Sequence, residues 1–254
     1  MTAVRDLKGT GFSPYGNACE IAGALAPEGI WALAASSRRA IKFALLAAVL
    51  FACAAAAQQP SPSAHDLAAR VDRHYNQLHS LKCGFAETYE GLGMKRSESG
   101  TLLLLKPGRM RWDYTSPPGK IFLLDGSFAW FYAQGDPQVQ RISAKELDDL
   151  RSPMRLLLGH TKLEKELDNL TLAPASNGQF TLTGIPKGLE KRVERLALTV
   201  TQDGIITVIE VEEVDGALTR FTFTNEETNA PIPPGTFRFT PPAGVPVVEG
   251  LPPT

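Results

Sequence analysis

Three side chains of the kinds that bind metals or attack substrates lie close together in the sequence, namely His74, His79 and Cys83. The two histidines are five residues apart in a predicted helix, a spacing that does not place both on one helix face. Glu87 and Glu90 follow, but they fall on opposite faces of a strand and so do not form a catalytic pair. The sequence contains no Gly-x-Ser-x-Gly elbow, no phosphate-binding glycine-rich loop and no His-Glu-x-x-His motif. We therefore predict that the protein is not an enzyme and that it binds neither a metal nor a cofactor.

Apolar and aromatic side chains recur at every second position in three other segments. In the first segment they alternate with Arg109, Arg111 and Asp113, so that one face of a predicted strand is aromatic and the other is charged. The apolar residues of the three segments are Met110, Trp112, Tyr114, Trp130, Tyr132, Phe221 and Phe223. An antiparallel sheet with such a face must cover it. Either helices cover it and give a packed core, or the sheet is a hollow barrel that holds a hydrophobic ligand, and the pattern alone leaves both possibilities open.

The chain after residue 120 is divided by four Asx-Gly dipeptides into segments with strong β propensity. The dipeptides are Asp125-Gly126, Asn177-Gly178, Asp203-Gly204 and Asp215-Gly216. Each suits a tight hairpin turn, because Asn, Asp and Gly tolerate the positive φ angles that type I′ turns require. The sequence therefore predicts a mainly antiparallel β protein.

Helical patterns occur in only two places. Ser63 and Asp66 form a capping-box-like start, and an apolar helix face follows them. That face consists of Leu67, Val71, Tyr75 and Leu78. The second pattern begins at Ser143 and is broken at Pro153, which itself suits a first helical position. Its apolar residues are Leu147, Leu150, Met154 and Leu157. The predicted fold class is thus mainly β with a few α-helices.

Residues 36–57 have the three parts of a secretory signal peptide: a basic segment, an apolar run and an alanine-rich exit. The apolar run is shorter than the about 20 residues that a membrane-spanning helix needs. We predict export with cleavage near Ala57. Residues 1–35 are interpreted as an N-terminal extension from a start site assigned too far upstream, and residues 58–254 as a single domain. In an alternative interpretation, residues 50–53 are a lipoprotein box and Cys53 is lipidated, although Phe51 fits that motif poorly.

The composition of the 254-residue chain is that of an ordinary globular protein, with 43% hydrophobic residues, 21% charged residues and a net charge of −1. This balance argues against a nucleic-acid binder, which normally carries a basic surplus. The three cysteines are too few for a disulfide scaffold. Only Cys83 follows the predicted cleavage site, so the mature chain has no internal disulfide.

Several motifs occur together in an order that is typical of one family. Residues 106–114 read Lys-Pro-Gly-Arg-Met-Arg-Trp-Asp-Tyr, and they are followed by Asp125-Gly126, by Trp-Phe-Tyr at 130–132 and by Gln138-Val139. The chain closes with Phe-Arg-Phe-Thr-Pro-Pro-Ala-Gly-Val at 237–245. From about Asp66 to Val248 the chain resembles the LolA family of periplasmic lipoprotein carriers.

The resemblance implies a half-open antiparallel β-barrel with a helical lid over a hydrophobic cavity that binds the acyl chains of lipoproteins. It further implies a periplasmic monomer that accepts lipoproteins from an inner-membrane ABC transporter and delivers them to an outer-membrane acceptor. The seven apolar strand residues would line the cavity, and the apolar residues after Ser143 would form the lid. Lys106 stands where well-studied members have an arginine linked to lid closure, which makes it a candidate lid latch.

We also expect Met154 and Leu157 to face Trp112 and Trp130 in the unliganded protein. Two alternatives remain open. One is a carrier of another amphiphile, such as a glycolipid, on the same fold. The other is an outer-membrane acceptor of related fold, which would require lipidation of Cys53.

Overall fold

The computed structural model describes residues 62–145, residue 157 and residues 162–250. The predicted N-terminal extension (1–35), the signal peptide (36–57) and Cys53 lie outside these residues. The predicted lid residues Leu147, Leu150 and Met154 also lie outside them. Ala144 and Lys145 are helical, as predicted for the start of the second helical segment, and so is Leu157.

Helix α1 (Ala64–Gln77) forms where the capping pattern predicts it. Ser63 is the N-cap, and its side chain accepts a hydrogen bond from the backbone N–H of Asp66 at 3.1 Å. The predicted apolar face is buried, with Leu67, Val71 and Tyr75 each no more than 2% exposed. A second, short helix, α2 (Leu163–Glu166), is joined to α1 because the backbone N–H of Leu163 donates to the Asp72 carboxylate.

The described chain also contains twelve strands and one 3-10 turn (Ser176–Gly178). The strands are β1 (Ser80–Gly91), β2 (Met94–Leu105), β3 (Arg109–Ser116), β4 (Pro118–Leu124), β5 (Phe128–Tyr132), β6 (Val139–Ser143), β7 (Leu167–Pro174), β8 (Phe180–Pro186), β9 (Val193–Val200), β10 (Ile206–Glu213), β11 (Leu218–Thr228) and β12 (Val247–Glu249). They form one sheet in the order β12-β6-β5-β4-β3-β2-β1-β11-β10-β9-β8-β7. Neighbours pair antiparallel except β12 and β6, which are parallel. The sheet is unclosed, which confirms the predicted mainly β, half-open architecture.

All four Asx-Gly dipeptides lie in turns between antiparallel strands, as predicted. Only Asn177-Gly178 has positive φ at both positions, with angles of 58° and 70°. At Asp125 the carboxylate instead accepts hydrogen bonds from the backbone N–H groups of Ser127 and Phe128, an Asx turn that stabilises the bend from within. The turn between β1 and β2 has no Asx-Gly dipeptide and was not predicted, because Leu92 stands at its positive-φ position before Gly93.

The sheet consists of two antiparallel meanders, β1–β6 and β7–β11, which are joined by pairing of β1 with β11. The chain leaves the first meander at β6, near one edge of the sheet, and re-enters at β7, which is the opposite edge. Leu157 belongs to this connection, and it is 1% exposed within the main hydrophobic core. Leu157 therefore packs in the core on the apolar face of the sheet.

We call the face that carries α1 and the main core the inner face, and the opposite one the outer face. The outer face of β4–β6 is covered by the C-terminal segment, residues 229–250. There Arg111 donates a hydrogen bond to the backbone carbonyl of Thr236 at 2.8 Å. The backbone N–H of Val139 donates to the carbonyl of Pro246 at 2.9 Å, next to the pairing of β12 with β6. The C-terminal segment thus covers part of the outer face of this region, opposite the core on the inner face.

Candidate functional site

The centre of the inner face is an aromatic cluster around Trp112, which is 2% exposed. Its ring centroid lies 4.6 Å from that of Phe85, 5.6 Å from that of Phe221 and 6.3 Å from that of Phe223. Phe85 and Tyr114 meet edge to face at 5.0 Å. Edge-to-face contacts of this kind stabilise aromatic pairs beyond the area that they bury. The strands β1, β3 and β11 therefore present one continuous aromatic surface.

Gly100 on β2 makes this surface possible. It lies opposite both Phe85 and Tyr114 in the register of the sheet. A Cβ atom at this position would stand 2.0 Å from the backbone oxygen of Asp113 and 2.9 Å from the ring of Phe85. Only glycine lets the neighbouring strand and ring approach so closely.

One end of the aromatic surface is closed by α1 and aliphatic side chains. Met110 is fully buried there, and its strand neighbour Leu104 is as well. Lys106, which immediately follows β2, donates a hydrogen bond from Nζ to the backbone carbonyl of Tyr75 in the last turn of α1. Burial lowers the pKa of Lys106. The lid-latch candidate is therefore bonded to α1.

The other end carries a polar cluster that consists of Glu87, Arg96, Glu98, Tyr114 and Lys120, in which the two glutamates are buried and Arg96 is exposed. Glu87 and Glu98 lie directly opposite each other on β1 and β2 and are only 8% and 6% exposed. Arg96 lies 3.5 Å from each carboxylate, and Lys120 forms an ion pair with Glu98. Burial, and then the charge of Glu98, raise the pKa of Glu87. Two carboxylates next to an aromatic surface are costly, and Arg96 and Lys120 offset part of this cost here.

Tyr114 joins the polar cluster to the aromatic one. Its hydroxyl donates to Glu87 at 3.3 Å, and Lys120 Nζ lies 4.4 Å from the centre of its ring. Burial, followed by the nearby carboxylates, raises the pKa of Tyr114 far above its usual range. Tyr114 therefore stays a neutral hydrogen-bond donor at physiological pH.

The carboxylate pair of Glu87 and Glu98 was not predicted from the sequence. Glu90 lies on the same strand as Glu87 but on its other face, whereas the partner of Glu87 is Glu98 on the next strand. The pair could have been predicted by placing a two-residue turn at Leu92-Gly93. That turn fixes the register of β1 and β2, which brings Glu87 opposite Glu98.

Of the seven predicted lining residues, five lie on the inner face and two do not. Trp130 and Tyr132 lie on the outer face, since Trp130 pairs with Leu123 and Leu123 in turn with Arg111. Their rings contact Phe239 of the C-terminal segment, at centroid distances of 5.6 Å and 6.2 Å. The expectation that Trp130 faces Leu157 together with Trp112 is corrected accordingly. Leu124 of β4 and Ala129 of β5 belong to the core, and the aromatic side chains of these strands that pack against it are Phe122 and Phe131. None of these four is among the predicted lining residues.

His74, His79 and Cys83, which lie close together in the sequence, have different surroundings in the structure. His74 pairs with Glu226 at 2.7 Å, whereas His79 is exposed beyond the end of α1. Cys83 is buried in the core, and burial raises the pKa of its thiol to about 12, which keeps it protonated. Among the described residues, no group of three or more His, Cys, Asp and Glu side chains could hold a metal ion. In this same part of the chain, the helices are too short or too polar to cross a bilayer.

Comparison with known proteins gives one consistent family. The model of the family "Outer membrane lipoprotein carrier protein LolA" matches residues 77–240. The outer-membrane lipoprotein carrier protein of Nitrosospira multiformis is 32% identical over 174 residues, which is 67% of this chain and 82% of that one. Its counterpart from Chromobacterium violaceum is 29% identical over 202 residues, or 80% and 97% of the two chains.

A solved structure of a LolA superfamily protein from Nitrosomonas europaea aligns with a TM-score of 0.39 at 13% identity, over 70% of this chain and 99% of that one. The family match spans more than half of the chain, from the end of α1 to the C-terminal segment. The chain belongs to the LolA family of outer-membrane lipoprotein carrier proteins.

Proposed function

We propose that this protein is a periplasmic carrier that binds the acyl chains of lipoproteins against the inner face of its sheet. Its family is one of carriers rather than enzymes, and its relatives bear the name outer-membrane lipoprotein carrier protein. The proposed contacts are the five inner-face residues Met110, Trp112, Tyr114, Phe221 and Phe223. Export would proceed through the signal peptide at 36–57, with cleavage near Ala57.

The observation that carries the proposal is the burial of Leu157 in the same hydrophobic core as the aromatic cluster. The connection from β6 to β7 links opposite edges of an unclosed sheet, and its residue Leu157 is buried in the same core as Trp112. We propose that this connection is a lid, to which Leu147, Leu150 and Met154 also belong. When it moves away, the surface that Leu157 covers becomes available to an acyl chain.

A displaceable lid meets the two demands on a carrier that has no energy source of its own. Each methylene group of an acyl chain that leaves water contributes about 0.8 kcal/mol, so that a long chain binds strongly to any open apolar surface. Closure of the lid over the same surface offsets part of this free energy and helps release. In this scheme a monomer receives cargo from an inner-membrane ABC transporter and passes it to an outer-membrane acceptor.

The two tryptophans on opposite faces of the sheet provide a matched test. The wild-type protein, Trp112→Ala and Trp130→Ala are each added to spheroplasts, and lipoproteins released into the soluble fraction with the carrier are identified by mass spectrometry. We expect release by the wild type and by Trp130→Ala, and roughly tenfold less by Trp112→Ala, because loss of its ring removes aromatic contact area from the binding surface.

Circular dichroism of both variants checks that they fold. If the folded Trp112→Ala variant released as much lipoprotein as Trp130→Ala, the inner face would not be the binding surface. If the wild type came away with glycolipids and no acylated protein, the protein would carry a different amphiphile.

A further inference from the structure

The two tryptophans of the described chain differ in the hydrogen bonding of their indole N–H groups. On the outer face, Trp130 donates to the carboxylate of Asp125 at 2.8 Å. On the inner face, the Nε1 atom of Trp112 is buried, and no acceptor for it lies within the described part of the chain. A buried N–H group without an acceptor is unfavourable, and indole groups in protein interiors usually have a partner. The described part of the fold thus supplies an acceptor to the indole of Trp130 and none to that of Trp112.

The surroundings of Trp112 do not offer a simple substitute. Its ring is packed against Phe85, Phe221 and Phe223, which have no hydrogen-bonding side-chain atoms. Its strand neighbours on the inner face are Leu102 and Phe122, which are also apolar. An acceptor that suits these surroundings is a single polar atom carried by an otherwise apolar group.

The polar cluster lies on one side of Trp112 only, which would orient a bound amphiphile. From Trp112 the aromatic contacts run through Phe85 to Tyr114, whose hydroxyl donates to Glu87. In the other direction the surface is aliphatic, with Met110 fully buried. An amphiphile on this face would place its hydrocarbon tail toward Met110 and its polar linker toward Glu87 and Lys120. Trp112 then lies where the tail meets the linker.

We propose that the Trp112 indole N–H donates a hydrogen bond to the carbonyl at the head of a bound acyl chain, and that it thereby selects acyl esters and amides over plain hydrocarbon. This inference rests on the proposed function, since it names the chemical class that the proposed binding surface prefers. In an acyl chain, the carbonyl is the one acceptor next to a long apolar tail. Because the Trp112 N–H is fixed in the fold, a hydrogen bond to the carbonyl would set how far the acyl chain extends toward Met110.

The test compares two lipids that differ only at this carbonyl. Dioctanoylglycerophosphocholine carries two ester carbonyls, and its dioctyl ether counterpart has the same chain length and headgroup but no carbonyl. Both compete with an environment-sensitive apolar dye for the purified protein. A plain apolar surface would bind the ether at least as well, because an ether is no more polar than an ester. We expect wild-type protein to prefer the ester about 3- to 10-fold, the range of one hydrogen bond.

The variant Trp112→Phe keeps an aromatic ring and removes the N–H group. We expect its affinities for the ester and the ether to become equal within about twofold, near the precision of such a comparison. The control Phe221→Leu weakens the packing around Trp112 and leaves the N–H in place. It should lower both affinities and keep the preference for the ester.

A second measurement does not depend on the folding of Trp112→Phe. The indole N–H resonance of Trp112 is assigned in the mature wild-type protein, which begins after Ala57, by comparison with Trp130→Phe. It should move downfield when the ester is added and stay in place with the ether. The outcomes separate the two proposals. Equal binding of ester and ether by the wild type, or an ester preference that survives in Trp112→Phe, overturns the inference and leaves the carrier function intact. Failure of both lipids to displace the dye overturns both.

Discussion

Lys106 donates a hydrogen bond from its ammonium group to the backbone carbonyl of Tyr75, in the last turn of α1. The last carbonyls of a helix have no partner within the helix, and a cation at this end also interacts favourably with the helix dipole. Lys106 directly follows β2, so that the bond fastens the end of α1 to the sheet.

We therefore expect Lys106→Met to lower the free energy of unfolding by about 1–2 kcal/mol, since a carbonyl loses a charged donor. Lys106→Arg should retain most of the stability, because it keeps a cationic donor. Urea unfolding followed by circular dichroism measures the difference. Equal midpoints for wild type and Lys106→Met, together with faster release of bound lipid, would instead favour a lid latch.

Glu87 makes the stability of the protein depend on pH. Its pKa is raised above the ordinary value of 4.5, mainly by burial and then by Glu98. The folded state therefore holds this proton more tightly than the unfolded state, and its contribution to stability falls as the pH rises from 4.5 through the raised pKa.

Glu87→Gln is neutral at every pH and lacks this dependence. We expect the variant to lose less stability than the wild type between pH 4 and pH 7 in thermal unfolding. Glu90→Gln, at an exposed position on the same strand, is the control and should follow the wild-type profile. A Glu87→Gln profile parallel to that of the wild type would show that the cations nearby already balance this carboxylate.

Leu157 is the described residue through which the proposed lid contacts the inner face. Leu157→Asp would place a carboxylate in the core, where an unpaired charge is strongly unfavourable, so that the lid no longer closes. Because the closed lid would compete with the ligand, we expect the affinity for an apolar dye and for lipoproteins to rise by roughly tenfold or more. Leu92→Asp, at a side chain that is 76% exposed, introduces the same charge as a control. Unchanged binding by Leu157→Asp would exclude the lid.

The turn between β1 and β2 contains a residue in an unfavourable backbone conformation. Leu92 has φ of 52°, in the left-handed region, where L-residues other than Gly, Asn and Asp are strained. We expect Leu92→Asn to increase the free energy of unfolding by about 0.5–1 kcal/mol, which urea unfolding can resolve. Gly93→Ala, at φ of 75°, should have the opposite effect. If Leu92→Asn were destabilising, the exposed leucine would have a packing role of its own.

Local features of this fold could be predicted because they depend on neighbouring residues. The Ser63 N-cap and the apolar face of α1 follow from hydrogen bonds and periodicity within one segment. The positions of the Asx-Gly turns follow from the turn preference of those residues, although only Asn177-Gly178 has the predicted type I′ angles. Apolar alternation in β3 likewise placed Met110, Trp112 and Tyr114 on a common face, and the structure has them there.

Non-local features could be predicted only in part. Alternation shows that Trp130 and Tyr132 share a face, but it does not show which face is the inner one. That choice depends on the C-terminal segment, whose Phe239 is more than a hundred residues away in sequence and buries the outer face of β5. An apolar side chain gains similar free energy on either face once that face is covered, so the strand alone does not distinguish them.

By itself, the sequence determined the β-rich fold, its turns, the helix that starts at Ser63 and the family to which the chain belongs. The tertiary structure decided that Glu87 lies opposite Glu98, that Trp130 has Asp125 as its indole acceptor and that Trp112 has none in the described chain. The physical reason is that turns and caps are made by residues close in sequence. The environment of a side chain is made by whichever strands the sheet register brings beside it.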